Sequence, residues 1–349
     1  MFNLKSIVRK NILELKPYSS ARDEYTGDAS IFLDANENPY GELNRYPDPQ
    51  QKELKQLLGK RKSVAPEKIF IGNGSDEVID LAFRIFCNPG EDKALTFSPT
   101  YGMYDVSAAI NDVELIKVPL TTDFQIDLSS VTNYLNDDQV KLIFICSPNN
   151  PTGNSINQKE IIFILENFNG IVIIDEAYAD FSAQESWLKT IDQYPNLIVS
   201  QTFSKAWGLA AARVGIAYTN EAVLELYSNV KPPYNVSELN QQAAIKALSN
   251  VDVFEQNKQT LLSEKERLEK ELLAIDQVIK VYPSDANFLL CEVKDANQLY
   301  ADLVSKKIIT RNRNSVINNC IRITVGTPEE NKALITSLRE MSSDSYRNE

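Results

Sequence analysis

A lysine with two hydroxyl side chains before it and an arginine after it is the strongest chemical signal in this sequence. The stretch TFSKAWG begins at Thr202, and Arg213 follows a short distance after Lys205. A phosphate group can accept hydrogen bonds from Thr202 and Ser204 and pair with the Arg213 guanidinium, which leaves the Lys205 amine for covalent work. The stretch therefore predicts an anion-binding site beside a reactive lysine.

Histidine is absent from the chain. Its absence excludes Ser-His-Asp and Cys-His nucleophile systems, imidazole bases and most catalytic zinc sites, and we expect no metal. Proton transfer near neutral pH must then use a lysine with a lowered pKa, a carboxylate with a raised pKa, or an organic cofactor.

A glycine-rich turn, GNGSDE, starts at Gly72, directly after a predicted strand. Its backbone N–H groups at a helix start can hold a phosphate. It lacks the Lys-Ser/Thr of a P-loop and the third glycine of a dinucleotide-binding fingerprint. Taken alone, the pattern favours a tight turn capped by Ser75 or Asp76.

Two other motifs follow predicted strands. The loop SPNNPTG starts at Ser147, and its two prolines make a rigid loop that can aim one amide side chain, although turn chemistry alone explains the same residues. In DEAY, Asp175 ends a very apolar strand with no Lys or Arg near it in sequence. Its carboxylate needs a distant basic residue or a cationic ligand unless the strand end is solvated.

The elements that must position these residues form an alternating pattern. Near-continuous apolar runs alternate with amphipathic stretches, which is typical of an α/β fold with a mainly parallel sheet between helices. The predicted strands are 68–71, 94–98, 142–146, 171–175, 197–202 and 214–218, and the predicted helices between them are 76–87, 101–113 and 159–168. The carboxyl ends of such strands gather ligand sites, so the four motifs are expected to meet.

A second, smaller α+β unit is expected near the C-terminus. A charged helix with one apolar stripe is predicted over 253–275, followed by a strand at 288–293, a helix at 296–307, a strand at 321–325 and a helix at 328–341. At 349 residues the chain exceeds what one core usually serves. We expect an N-terminal segment (1–40) packing with the small domain, a large domain (41–250) and a small domain (251–349).

The net charge of −12 argues against nucleic-acid and anionic-membrane partners. No apolar run is long enough to span a membrane, and the first residues lack the apolar core of a signal peptide. The cysteines show no CxxC spacing, which fits a reducing cytoplasm; they are Cys87, Cys146, Cys291 and Cys320.

Together the motifs NPTG, DEAY and TFSKAWGLAAARVG resemble the fold-type I pyridoxal 5′-phosphate (PLP) enzymes of the aspartate aminotransferase superfamily, over essentially the whole chain. The stretches KPYSSAR, LDANENPYG, NRYPDP, SPTYGMY and IRITVGTPEE are similar to those of one subfamily, the histidinol-phosphate aminotransferases. The resemblance implies a large domain with a mostly parallel seven-stranded sheet and a smaller α+β domain. It also implies amino transfer between histidinol phosphate and 2-oxoglutarate, giving glutamate.

By the same resemblance, Lys205 holds PLP as an imine and, once released, moves the substrate proton. Asp175 is the partner of the pyridine nitrogen and keeps it protonated, which makes the ring an electron sink. Asn150 and Tyr178 bond the cofactor O3′, and Tyr101 stacks on the ring.

The cofactor phosphate is expected to lie in a cup formed by seven residues. Six come from its own subunit: Gly74, Ser75, Asp76, Thr202, Ser204 and Arg213, with the Asp76 carboxylate turned away. Tyr46 reaches it from the neighbouring subunit, which implies a homodimer.

For the substrate anion, the resemblance implies Arg311 and Arg322, with Tyr18 closing over the site. A guanidinium pair accepts phosphate or carboxylate with similar geometry. Arg313 is an alternative to Arg311, because asparagine stands at position 312 where the family often has aspartate.

Rival interpretations within the same fold are an aromatic amino acid aminotransferase and a PLP decarboxylase acting on a phosphorylated amino acid. A PLP-binding transcription regulator would need a DNA-binding module. The aminotransferase motifs already begin by Lys16, and the net charge opposes DNA binding.

Overall fold

The computed structural model describes residues 2–18 and 31–345. Two sheets organise the described chain. The strands of the larger sheet are β1 Ile69–Asn73, β2 Lys93–Ser98, β3 Glu114–Pro119, β4 Val140–Cys146, β5 Ile171–Asp175, β6 Leu197–Thr202 and β7 Val214–Tyr218. Those of the smaller sheet are β8 Val278–Val281, β9 Phe288–Val293, β10 Arg311–Asn312 and β11 Cys320–Thr324.

Helices cover both sheets. In chain order they are α1 Leu4–Ile7, α2 Lys10–Leu13, α3 Lys52–Lys62, α4 Ser75–Phe86, α5 Met103–Ile110, α6 Leu128–Leu135, α7 Gln158–Asn167, α8 Glu221–Val230, α9 Glu238–Leu248, α10 Val251–Leu272, α11 Ala296–Ser305 and α12 Pro328–Ser345. Among the residues described, no helix is both long and apolar enough to cross a membrane.

The large sheet has the strand order β1-β7-β6-β5-β4-β2-β3, and only β7 runs against the others. The predicted mostly parallel, seven-stranded α/β sheet is therefore confirmed. Its six predicted strands lie within two residues of the observed bounds, whereas β3 was missed. This edge strand is only partly buried and carries charged residues, so it lacks the apolar run that marks the central strands.

Alternate residues of the central strands enter two separate cores, one on each face of the sheet. In β4, Ile143 and Ile145 pack into one core, while Leu142 and Phe144 pack into the other. Helix α4 shows why a helix forms on the second face. Residues such as Val78, Ala82 and Phe86 give it a buried stripe, and acidic residues in its first turn favour the helix dipole.

The small domain is a four-stranded antiparallel sheet in the order β10-β11-β9-β8. One face of β9 packs Leu289 and Cys291 into a core with the helices of this domain. On the other face, Phe288 packs against Tyr178 of the large domain. The small sheet therefore presents one face to the end of β5, where the candidate site lies.

The N-terminal segment packs differently from the prediction. Ile7 and Val8 lie in the same core as Phe86 of the large domain, and the Arg9 backbone N–H donates to the carbonyl of Ile85. For residues 2–13 the expected packing with the small domain is therefore wrong. Their apolar side chains complete the outer side of α4 instead.

Candidate active site

Strand register brings distant motifs to one edge of the large sheet. Asn73 at the end of β1 lies opposite Val214 at the start of β7, and Thr202 at the end of β6 lies opposite Gly215. Asp175 ends β5 in the same layer. The result is a pocket lined by Ser75, Asp76, Tyr101, Cys146, Asn150, Asp175, Ala177, Tyr178, Thr202, Ser204, Lys205, Ala210 and Arg213.

Lys205 projects into this pocket from the turn that follows β6. Its Nζ lies 5.6 Å from the centre of the Tyr178 ring. The residue as a whole is exposed, but the surrounding pocket residues partly shield its amine from water. This desolvation, followed by the charge of Arg322, lowers the pKa of Lys205 below its ordinary value. The amine is therefore neutral over a wider pH range than a surface lysine.

Asp175 is buried at the back of the pocket. Its Oδ2 accepts a hydrogen bond of 2.9 Å from the Tyr104 hydroxyl, and its Oδ1 accepts one of 3.1 Å from the backbone N–H of Ala177. Burial raises the pKa of Asp175, and the two donors oppose that rise. No Lys or Arg forms an ion pair with this carboxylate within the described part of the chain, so a cationic group of a ligand fits beside it.

Asn150 and Tyr178 meet at the same pocket. The Asn150 Nδ2 lies 3.4 Å from the Tyr178 hydroxyl, and the Arg322 Nη1 donates to the Asn150 Oδ1 at 2.5 Å. Asn150 thus links the pocket to the small domain, and both its amide atoms have partners. The Asn150 amide and the Tyr178 hydroxyl therefore lie close together in the pocket, where both can donate hydrogen bonds to one ligand oxygen.

Two glycines allow the turn before α4 to lie close to Arg213 and to β7. Gly74 has a φ of +81°, and a Cβ atom there would lie 2.5 Å from the Arg213 Nη2. Gly215 is packed against the same turn, since a Cβ atom on it would lie 2.2 Å from the Ser75 nitrogen. The start of α4 and Arg213 therefore adjoin, although the motifs that carry them are far apart in sequence.

The Asp76 carboxylate does not turn away from this cup as expected. Its Oδ2 lies 3.1 Å from the Arg213 Nη2, and its Oδ1 accepts a hydrogen bond from the Tyr101 hydroxyl at 3.2 Å. Opposite charges in one half-exposed pocket attract each other, which explains the pairing. An anion that binds Arg213 must therefore compete with Asp76.

Three arginines lie on one face of the small sheet. Arg311 on β10 lies directly opposite Arg322 on β11 in the strand register. Arg313 follows two residues after Arg311, and its backbone N–H donates to the Cys320 carbonyl. The Nε atoms of Arg313 and Arg322 are buried without a hydrogen-bond partner. None of the three forms an ion pair within the part of the chain described, which favours an anionic ligand.

Two predicted residues lie outside the pocket. Tyr18 is 72% exposed and does not line it. Tyr46 stacks on Tyr234 with ring centres 4.3 Å apart and lines a separate surface groove. Within one chain the structure therefore does not bring either tyrosine to Lys205.

Two residues of the site were missed in the sequence. Tyr104, which bonds Asp175, lies one helical turn after Tyr101, but a buried aromatic residue on a helix usually signals core packing. Asp285 connects the domains: its Oδ2 accepts from the Ser155 hydroxyl at 2.6 Å, and its N–H donates to the Gly153 carbonyl at 2.7 Å. Nothing in the local sequence around Asp285 points to the distant NPTG loop.

Comparison with known proteins identifies the family of the chain. Residues 24–338 match the family model "Aminotransferase class I and II". The chain belongs to this family, and the aminotransferase activity predicted from its motifs is confirmed.

Two relatives are similar to this chain over nearly its whole length. Histidinol-phosphate aminotransferase of Flavobacterium johnsoniae is 50% identical over 97% of this chain and 98% of its own length. The enzyme of the same name from Bacteroides thetaiotaomicron is 52% identical over 97% of this chain and 99% of its own. The crystal structure of the histidinol-phosphate aminotransferase from Clostridium acetobutylicum has the same fold, with a TM-score of 0.80, 24% identity, and coverage of 86% of this chain and 92% of that one.

Proposed function

We propose that the protein is a PLP-dependent enzyme that transfers an amino group between L-histidinol phosphate and 2-oxoglutarate, giving imidazole-acetol phosphate and L-glutamate, in histidine biosynthesis. The observation that carries the proposal is that Lys205 and Asp175 line one pocket, and that Arg322, which has no acidic partner in the described chain, reaches the same pocket through its hydrogen bond to Asn150. Relatives that are half identical over nearly the whole chain support the choice of substrate.

The pocket residues fit PLP. The buried Asp175 suits a protonated pyridine nitrogen, Asn150 and Tyr178 suit the O3′ oxygen, and Tyr101 suits the ring face. The phosphate suits the backbone of the turn from Gly74 to Asp76, together with Thr202, Ser204 and Arg213, where it would replace the Asp76 carboxylate as the partner of Arg213. When bound, PLP supplies a conjugated ring that takes up the electrons left when the substrate carbon loses its proton.

Lys205 performs the proton transfer in this proposal. Its amine would hold PLP. When free, its Nζ would take the proton from the substrate carbon that bears the nitrogen and would give it back to complete the amino transfer. A lowered pKa suits this task because only the neutral amine accepts a proton.

Arg322 and Arg311 bind the substrate anion in this proposal. Arg322 extends from β11 of the small sheet to Asn150, with its guanidinium carbon 5.1 Å from the centre of the Phe288 ring. A planar guanidinium binds phosphate and carboxylate in similar geometry, so one site accepts both substrates in turn. Tyr18 covers the site in the proposed complex.

A homodimer completes the phosphate cup in this proposal, because Tyr46 comes from the second copy. An apolar surface around Tyr46 supports it: Leu43 and Leu239, which line the same groove, are 62% and 61% exposed. Patches of this kind mark interaction sites. A cytoplasmic location is also proposed, supported by four buried cysteines that form no disulfide.

The test is a product assay with histidinol phosphate and 2-oxoglutarate. We expect stoichiometric glutamate, and no carbon dioxide from phosphorylated amino acids. Release of carbon dioxide without amino transfer would contradict the proposal and would indicate the decarboxylase. Amino transfer from phenylalanine or tyrosine that is faster than transfer from histidinol phosphate would indicate the aromatic aminotransferase.

The covalent step has its own test. Borohydride reduction of the PLP-loaded protein, followed by peptide mapping, should place the label on Lys205. Lys205→Ala should lower turnover by about 10² to 10⁴-fold, the usual contribution of a positioned base. A label on any other lysine would contradict the assigned role.

A further inference from the structure

Tyr104 is a buried tyrosine that contacts two residues of the pocket without lining it. Its side chain is 0% exposed. Its hydroxyl donates to the Asp175 Oδ2 at 2.9 Å, and its ring meets the Tyr101 ring edge to face, with centres 5.6 Å apart. One side chain therefore supports both the carboxylate at the back of the pocket and the ring at its wall.

We propose that Tyr104 is a positioning residue that keeps Asp175 ionised and aimed at the cofactor's pyridine nitrogen. The inference rests on the proposed function, since it assigns Tyr104 a part in holding the same cofactor. It adds a residue that lies behind the pocket and touches neither cofactor nor substrate directly.

The surroundings of Tyr104 fix the direction of its hydroxyl. Its ring stacks on Phe144 with centres 4.9 Å apart, and Phe144 stacks in turn on Phe83. A ring packed on several sides has one orientation, so the hydroxyl has one direction. Hydrogen bonds to charged acceptors are stronger than neutral ones, and strongest away from water.

The charge of Asp175 depends on this donor. Burial raises the pKa of Asp175, and the Tyr104 hydrogen bond is the largest influence that lowers it. The other titratable side chains facing Asp175 are Asp76, which raises its pKa, Lys205, which lowers it, and the neutral groups of Cys146, Tyr101 and Tyr178. Removing the donor shifts this balance toward the protonated carboxyl, which cannot pair with a pyridinium.

The variant Tyr104→Phe tests the proposal, because it removes the hydroxyl and keeps the stacked ring. The matched control is Tyr227→Phe, which also removes a fully buried hydroxyl, one that donates to the Val78 carbonyl away from the pocket. Both variants lose one buried hydrogen bond and keep the ring, so both should remain folded. Only the first should change cofactor binding.

The measurement is the dissociation constant of pyridoxamine 5′-phosphate from the full-length, cofactor-free protein. This probe carries the same ring and phosphate as PLP but forms no bond to Lys205. Loss of a hydrogen bond to a charged group should weaken its binding by roughly 10-fold at neutral pH in Tyr104→Phe. Tyr227→Phe should bind like the wild type.

The pH profile separates a positioning role from a purely structural one. Binding weakens as the pH falls through the pKa of Asp175 in the cofactor-free protein, because a protonated carboxyl loses its attraction for the ring nitrogen. Tyr104→Phe raises that pKa, so the weakening should begin at a higher pH. The probe's own groups titrate alike in every variant, so a displacement between profiles belongs to the protein.

A double-mutant cycle completes the test. In the Asp175→Ala background, Tyr104→Phe should change probe binding little, because the partner of the hydroxyl is already gone. An equal loss in both backgrounds, or unchanged affinity and pH profile in the single variant, would overturn the role of Tyr104 alone. Failure of the wild type to bind the probe at all would overturn the proposed PLP function as well.

Discussion

At the scale of single residues, the pocket holds two ionisable groups in surroundings that oppose their usual charge. Burial raises the pKa of Asp175 and lowers that of Lys205. In the proposed complex, a cationic ring nitrogen would pair with the Asp175 carboxylate, and covalent attachment would remove the free amine of Lys205. Desolvation of these two groups therefore costs the protein stability, as is common at active sites.

This opposition predicts the effect of Asp175→Asn on the cofactor-free protein. Because the folded-state pKa lies above the unfolded one, ionised Asp175 destabilises the fold as the pH rises through the folded-state value. The asparagine Oδ1 can still accept from Ala177 and its amide can donate to Tyr104. We expect the variant to be more stable than the wild type by about 1 kcal/mol at pH 8, with the difference vanishing toward pH 4.

Denaturant unfolding at both pH values measures this difference. Asp76→Asn is the control, because that carboxylate is half exposed and its pairing with Arg213 should contribute little. If the Asp175→Asn protein were less stable than the wild type at pH 8, the hydrogen bonds from Tyr104 and Ala177 would fully offset the cost of burying the Asp175 charge.

At the scale of elements, the proposed phosphate cup depends on the pairing of β1 with β7. Gly72 lies opposite Gly215, and the turn after β1 crosses Gly215 at van der Waals distance. Any side chain at position 215 would push this turn away from Arg213. Gly215 is therefore needed because the neighbouring turn leaves no room for a side chain. Its own backbone has an ordinary strand conformation that any residue could adopt.

Gly215→Ala should therefore destabilise the protein by about 1 to 3 kcal/mol, as overpacking does, and weaken PLP retention. Denaturant unfolding and PLP release during dialysis measure the two effects. Gly102→Ala is the control, since a Cβ atom there would meet nothing within 4 Å. Equal behaviour of the two variants would refute the proposed close approach.

At the scale of the whole molecule, the NPTG loop belongs to both domains. Arg322 and Asp285 of the small domain hold Asn150 and Ser155, while Thr100 of the large domain donates to Asn149. The loop that carries Asn150, the proposed partner of the cofactor O3′, therefore also contacts the small domain directly. Movement of that domain must change the contacts of Asn150.

The proposed dimer predicts complementation between two defective chains. A hybrid dimer has one Lys205→Ala chain and one Tyr46→Ala chain. Because each site combines Lys205 of one chain with Tyr46 of the other, one site carries both substitutions and the other site carries neither. Mixing the two inactive variants under conditions of subunit exchange should restore roughly a quarter of wild-type activity, because random pairing makes half the dimers hybrid and each hybrid has one good site. Assay before and after mixing measures this. A mixture no more active than its components would place Tyr46 in its own chain's site or outside any site.

The elements that the sequence predicted best are those with one dominant pattern. The central strands are buried on both faces and read as apolar runs, and α10 has a long charged face with one apolar stripe. β10, with two residues, and β8, with four, offer too few positions for a pattern and were not predicted.

The sequence alone predicted the reactive group, because the chain has no histidine and its motif TFSKAWG, followed by Arg213, singles out Lys205 for covalent chemistry. Only the tertiary structure decided what surrounds that lysine. The pairing of Asp76 with Arg213, the support of Asp175 by Tyr104 and the packing of the N-terminal segment all join residues far apart in the chain. Their geometry follows from strand register and side-chain packing, which depend on the whole fold, whereas a local motif records only its own neighbours.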